Sequence, residues 1–278
     1  MRNLFTLICL LVISSAVFSQ GKTIDNAYLK CQYEYIFESD TLSGKTRDDL
    51  LILQIGENLS KCYSYYSAEV DSISALPNWY EVMKKHLDYA FSKKEVNDND
   101  YPHKRMKDYV YKNYPQGKMT VTDGLTLQYY VYEDDLNAQQ WEIKDSTKTI
   151  LDYQCQMAVC NFRGRQWTAW FTTDIPISDG PWKFGGLPGL IMEAYDKGKQ
   201  YVFTIVGLQK VGDEPIYFSE TYVGSKRFEK TNRIEFLKAK KAALMNLNGY
   251  IEMETGIDLS GGNPPKIMRY DLLELDYK

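Results

Sequence analysis

Nucleophilic hydrolysis needs an activated nucleophile beside a base, and this chain offers few bases. His86 and His103 are its two imidazoles. Neither lies in a G-x-S-x-G or H-E-x-x-H setting, so His86 reads as a helix residue and His103 as a loop residue. Carboxylates are harder to dismiss. Asp174, Asp179 and Glu193 flank one glycine-rich stretch, and two acids suffice for glycoside hydrolysis. Gly180-Pro-Trp-Lys-Phe-Gly185 has the G-x4-G spacing of a phosphate loop, but Gly186-Leu187 stands where that loop needs Lys followed by Ser or Thr. Asp98-Asn-Asp100 lacks the glycine and distal glutamate of a calcium loop. No metal site and no cofactor is expected.

A recognition surface is the better candidate. In an extended segment Trp167, Ala169 and Phe171 share one face, while Trp170 shares the other with Thr168 and Thr172. One tryptophan should then face away from the core. Joined by Arg163, Arg165 and Trp182, it would form an aromatic and arginine patch of the kind that anchors interfaces.

The cysteines depend on the compartment. Arg2 is the sole charge of the first 21 residues. Leu4 to Val17 is mostly apolar, and Val17-Phe18-Ser19 offers small residues for a cut before Gln20, the pattern of a secretory signal peptide. The apolar run is shorter than the ~20 residues that span a bilayer, and no other segment is long and apolar enough to span. The expected mature chain, residues 20–278, lies in the periplasm, at the outer membrane or outside the cell. It has four cysteines, Cys31, Cys62, Cys155 and Cys160. An even count in an oxidising compartment favours two disulfides. If their segment is extended, Cys155 and Cys160 stand ~16 Å apart, beyond the ~7 Å that a disulfide tolerates. They would then bridge elsewhere, with Cys31 and Cys62 as the expected partners.

The elements that must position these groups are mostly strands. Tyr, at 23 residues, is unusually frequent, and Tyr favours half-buried strand surfaces. Leu29 to Glu38 alternates, Leu50 to Ile55 is a short apolar run, and Leu59 to Tyr66 returns as another strand candidate. After Pro77 the period changes to that of an amphipathic helix, residues 78–92. Lys93 to Asp108 reads as an exposed insertion. Short strands resume over Tyr109–Tyr114, Lys118–Thr122, Thr126–Glu133 and Trp141–Lys144. Two hairpins follow: Ile150–Phe162 with Gln166–Thr172, then Leu190–Tyr195 with Gln200–Gly207. A late helix is expected over 232–247, with Gly249 as its stop, and a last strand over Ile267–Leu275. The fold class is mainly β: one antiparallel domain, a sandwich or an open half-barrel sheet, with a helical insertion and a late helix. A net charge of -4 without a basic field excludes a nucleic-acid partner.

The most distinctive stretch is Gly185-Gly186-Leu187-Pro188-Gly189-Leu190-Ile191. Pro188-Gly189 suits the centre of a type II turn, with positive φ at the glycine. Leu187, Leu190 and Ile191 can pin the turn to the core, and Gly185-Gly186 allows close backbone approach. Here the sequence resembles the GLPGLI family of bacterial envelope proteins, whose motif stands complete at 186–191. The flanks, Asn161 to Phe171 and Ile175 to Phe184, are similar too, and the resemblance is looser elsewhere. It implies export, no assigned biochemical activity, and a setting beside outer-membrane TonB-dependent receptors.

The expectation is therefore an exported, non-enzymatic envelope protein that binds a partner or ligand, with an outer-membrane receptor as the implied partner. One alternative is a periplasmic hydrolase of glycan or peptide working through Asp174, Asp179 and Glu193. Another is a carrier of an apolar ligand, which requires a cavity against the sheet.

Overall fold

The computed structural model describes residues 21–223, 226–258 and 271–278. The expected signal peptide and the start of the expected last strand lie outside them. The first strands are β1 (Lys22–Asp40), β2 (Lys45–Gly56) and β3 (Ser60–Ser64), followed by helices α1 (Tyr65–Ser74) and α2 (Trp79–Phe91). Next come β4 (Tyr109–Lys112), β5 (Lys118–Leu125), β6 (Gln128–Asp135) and β7 (Glu142–Ile150). The motif region lies between β8 (Tyr153–Phe162), β9 (Arg165–Thr172) and β10 (Leu190–Asp196), β11 (Tyr201–Phe218). Short strands β12 (Thr221–Val223), β13 (Lys226–Arg227) and β14 (Glu229–Lys230) lead to α3 (Arg233–Met245) and α4 (Leu247–Thr255).

Twelve strands form one sheet in the order β14-β6-β5-β4-β3-β2-β1-β11-β10-β9-β8-β7, and its ends do not meet. Of the two expected architectures the molecule takes the open sheet. All the pairings are antiparallel except β14 with β6, which is parallel, so the sheet is mixed. Long strand β1 pairs β2 on one side and β11 on the other, joining two meanders.

Register decides which face is buried. Tyr132, Val121, Val110, Cys62, Leu53, Cys31 and Leu208 form one continuous row across seven strands. The next rows add Tyr33, Tyr35, Ile205 and Phe203, and all these side chains belong to the main core. The segment between β9 and β10 covers this face with Trp182, Phe184 and Leu187. Beside it α3 packs Phe236 on Tyr132, with ring centroids 5.5 Å apart.

The helices follow their caps. The Asn232 side chain accepts from Glu235 N at 3.0 Å and starts α3, close to the predicted boundary. Asn246 ends α3 and caps α4, accepting from Gly249 N at 3.1 Å. Gly249 is thus inside a second helix rather than a stop. Leu59 to Tyr66 is strand only to Ser64, whose hydroxyl accepts from Ser67 N at 3.1 Å and opens α1. Asp271 to Leu275 carries no strand, although Leu275 N donates to Arg163 O at 2.8 Å.

Candidate functional site

The segment between β9 and β10 is held by backbone capture and by two buried lysines. Phe184 N donates to Pro181 O, Leu190 N to Ile175 O and Ile191 N to Asp179 O. Lys112 reaches in from β4. Its ammonium donates to Asp179 Oδ1 at 2.5 Å, Gly180 O at 2.6 Å and Phe184 O at 2.7 Å. All three of its protons are therefore used inside the protein.

Gly186 has a positive φ of 83°, but Gly189 does not, so the expected type II turn at Pro188-Gly189 is absent. Glycine is required at 189 for space. A Cβ there would stand 2.0 Å from Thr172 O, because the backbone leaving β9 passes directly against it.

Lys183 sits at the centre of an ion cluster. Its Nζ is 2.7 Å from Asp134 Oδ2 and 2.5 Å from Glu274 Oε1. Arg163 contacts Asp134, and Arg233 reaches Glu274 Oε2 at 2.7 Å and Asp276 Oδ1 at 2.6 Å. Three cations thus face three carboxylates, which is the balance that burial demands. Arg165 is engaged separately, 2.9 Å from Asp196 Oδ2 and bonded to Leu272 O and Leu273 O.

These contacts correct the expected recognition surface. Trp167 and Trp182 are 0% and 2% exposed, packed with Phe184 at centroid distances of 4.7 and 5.1 Å. Trp170 does point to the opposite face. It too is buried, beneath Lys148, whose Nζ lies 4.5 Å from its ring centroid. Arg163 and Arg165 are consumed by the ion pairs. The five residues form interior packing and its ionic seams, not an exposed patch. Leu187, Leu190 and Ile191 do pin the motif to the core.

The three motif acids do not converge either. Asp179 is bound to Lys112 beside the core face. Glu193 pairs with Lys148 at 2.7 Å on the opposite face, and Asp174 is exposed. Lys183 in the G-x4-G segment is neutralised within the protein. His86 is exposed on α2, and His103 Nδ1 lies 3.2 Å from Tyr101 O. Among the described residues no group of His, Cys, Asp and Glu is arranged to hold a metal.

Cys31, Cys62, Cys155 and Cys160 are buried free thiols, which corrects the expected disulfides. Cys31 and Cys62 both stand opposite Leu53, on either side of it. Two strand spacings of ~4.8 Å separate them, too far for a bond that needs less than ~7 Å. Cys155 and Cys160 lie in the unbroken strand β8, five residues apart, as the extended reading requires. Burial holds all four as thiols, pushing Cys62 and Cys160 up to about 12 and Cys155 to about 11.

A different constellation emerges where α3, α4 and the C-terminal residues meet the sheet. There a cavity of about 340 Å³ opens, within the size range of small-molecule sites. Tyr35, Tyr132, Trp182 and Tyr201 supply aromatic wall, and Leu125, Leu244 and Leu272 add aliphatic surface. Asp108 and Asp123 also line it. Tyr109 pairs with Thr122 at the end of the β4–β5 ladder, and Asp108 and Asp123 are the residues just beyond that pair, near enough for the Asp123 charge to act on Asp108. Like charges at such positions repel.

The environments of the two acids differ. Asp123 lies 2.5 Å from Lys240 Nζ on α3. Asp108 is 7% exposed. Burial first, then the Asp123 charge, pushes its carboxyl up to about 7, partly opposed by Lys240 and by the acceptance of its own backbone N–H. A buried acid poised near neutrality at a cavity wall marks a functional-site candidate.

Sequence reasoning missed this site because Asp108 closes a polar stretch that reads as solvated, and Asp123-Gly124 reads as a turn. The signal lies in the register of two short strands, which no local pattern contains.

Comparison with known proteins adds little chemistry. No curated protein matches the chain. Two solved structures of PNGF-II, in C2 and P21 crystal forms, are similar at 13% and 12% identity, each with a TM-score of 0.49. The match spans 76% of this chain but only 32% of theirs, so the chain spans about a third of the length of the solved chains that it matches. Residues 162–193, which contain the motif, match a family described as a protein of unknown function, Porph_ging, rather than one bearing the GLPGLI name.

Proposed function

We propose that this is an exported, non-enzymatic binding protein of the cell envelope that holds a small amphipathic molecule between the sheet and α3–α4. The observation that carries the reading is the cavity of about 340 Å³, walled mainly by aromatic and aliphatic side chains with a buried carboxylate pair at one side. Apolar lining with a few convergent polar groups is the general character of small-molecule sites. The apolar N-terminal segment supports export. The motif acids are spent on ion pairs or exposed, and burial keeps the thiols protonated, which favours binding over catalysis. An outer-membrane receptor is the partner that the motif's resemblance suggests.

The test is titration with the neutral dye N-phenyl-1-naphthylamine, whose fluorescence rises on entering an apolar site. The protein should take up the dye saturably, and Leu244→Trp, which fills the cavity, should abolish uptake without lowering stability. No saturable uptake, or equal uptake by the filled variant, would sink the reading.

A further inference from the structure

The polar side of the cavity indicates what the bound molecule carries. Asp108 is more than nine-tenths buried, lines the cavity, and among the described residues receives no hydrogen bond from another side chain. Its own backbone N–H is the donor it has. The cations around it are directed elsewhere. Lys240 from α3 is bonded to Asp123, Lys183 from the motif segment to Asp134 and Glu274, and Arg105 to Asp48. Lys107 runs along Gly124 toward the Tyr129 ring. Glu274, the acid contributed by the C-terminal residues, is matched by Lys183 and Arg233. Among the described residues Asp108 is left without an ion-pair partner: Lys240 and Lys183 act on it only from beyond ion-pair distance, and it shares the cavity wall with Tyr35, Tyr132 and Tyr201.

We propose that the cavity recognises an organic ammonium group on an apolar body, with the cation seated against Asp108 and the ring faces of the wall. This rests on the binding reading above and specifies its ligand class. A carboxylate opposite a cation supplies a charge-assisted hydrogen bond. Aromatic faces favour a desolvated cation further through their quadrupoles. A neutral alcohol of the same length would gain only the apolar contacts. The wall also carries Arg105, Lys107 and Lys240, but Arg105 and Lys240 are paired with Asp48 and Asp123, so a carboxylate placed against Asp108 would meet its repulsion. No bond is made or broken. The ligand's charge takes the place of the proton that Asp108 otherwise holds.

The experiment displaces N-phenyl-1-naphthylamine from the full chain with octylamine, octanol and octanoate at pH 6 and pH 8.5. Octylamine should displace the dye at roughly tenfold lower concentration than octanoate, the effect of about one extra ion pair. Its advantage should widen at pH 8.5, where Asp108 gives up its proton. Asp108→Asn should remove that advantage and its pH dependence while leaving octanol unchanged. The wild-type series decides the matter if the variant folds poorly. Equal displacement by all three compounds, or preference for octanoate, overturns the ammonium assignment and leaves the cavity reading standing. Failure of the dye and of every compound to bind overturns both.

Discussion

Lys183 Nζ stands 2.5 Å from Glu274 Oε1, so the motif segment is locked to the last residues of the chain across 91 positions of sequence. That one pair links the segment covering the sheet to the residues that wall the cavity. Its neighbours Asp134, Arg163, Arg233 and Asp276 complete a cluster in which removal of any buried member strands an opposite charge.

Lys183→Ala should therefore be severely destabilising. Asp134 and Glu274 would keep Arg163 and Arg233 but lose the ammonium between them. The expected cost is about 3–5 kcal/mol, read from the urea midpoint of the purified protein. Lys238→Ala, on the exposed face of α3, should change it by less than about 0.5 kcal/mol.

The glycines of the motif should separate by mechanism. Gly189→Ala places a methyl against Thr172 O, where a Cβ would stand at 2.0 Å; it must move the backbone and should cost more than about 3 kcal/mol. Gly186→Ala has room but keeps a positive φ, costing about 1–2 kcal/mol. Thermal unfolding of both variants should show the larger loss at 189.

Asp108 sets a pH dependence with a definite sign. Its carboxyl is raised from 3.8 to about 7 in the folded chain. Below about pH 4 both states hold the proton. As pH rises from there to about 7 the unfolded state has released it and the folded state has not, so stability falls through this window. Asp49, raised to about 6 by burial, acts in the same direction. Asp108→Asn should flatten the part above pH 6 and leave the variant more stable than the wild type at pH 8, on the order of 2 kcal/mol. Chemical denaturation at pH 4, 6 and 8 checks it; a wild type that gains stability on the way to pH 8 would count against the assignment.

The thiols should be silent until the fold opens. Cys31, Cys62, Cys155 and Cys160 are buried and protonated. In the chain from Gln20 onward, an aromatic disulfide reagent should label none of them in the native state and all four in denaturant. Absence of labelling in denaturant, restored by reductant, would show disulfides instead.

Much of the scaffold was legible because its signals are local. The late helix expected over 232–247 meets α3 (Arg233–Met245), and the change of period after Pro77 marked α2. Alternation correctly separated Trp167, Ala169 and Phe171 from Trp170. It could not show that Trp170 is covered from its own side by Lys148. Tyr65 and Tyr66 looked like a continuing strand because the Ser64 cap is a single hydroxyl. The disulfide expectation sent Cys155 and Cys160 to Cys31 and Cys62 and failed on strand order, since β8 stands four strands from β1 and six from β3 in the sheet. The place of Lys183 in an ion cluster was not legible, because its counter-charges Asp134 and Glu274 come from β6 and the C-terminal residues. Asp108 and Asp123 became a pair only once β4 and β5 were aligned.

The central claim is that the space bounded by Tyr35, Tyr132 and Leu244 is a ligand site. Crystals soaked with 8-bromooctylamine test it most directly, because bromine scatters anomalously. The predicted result is one strong anomalous peak inside the cavity, with the amine toward Asp108. A cavity closed by the protein's own side chains, or bromine found only on the outer surface, would contradict it.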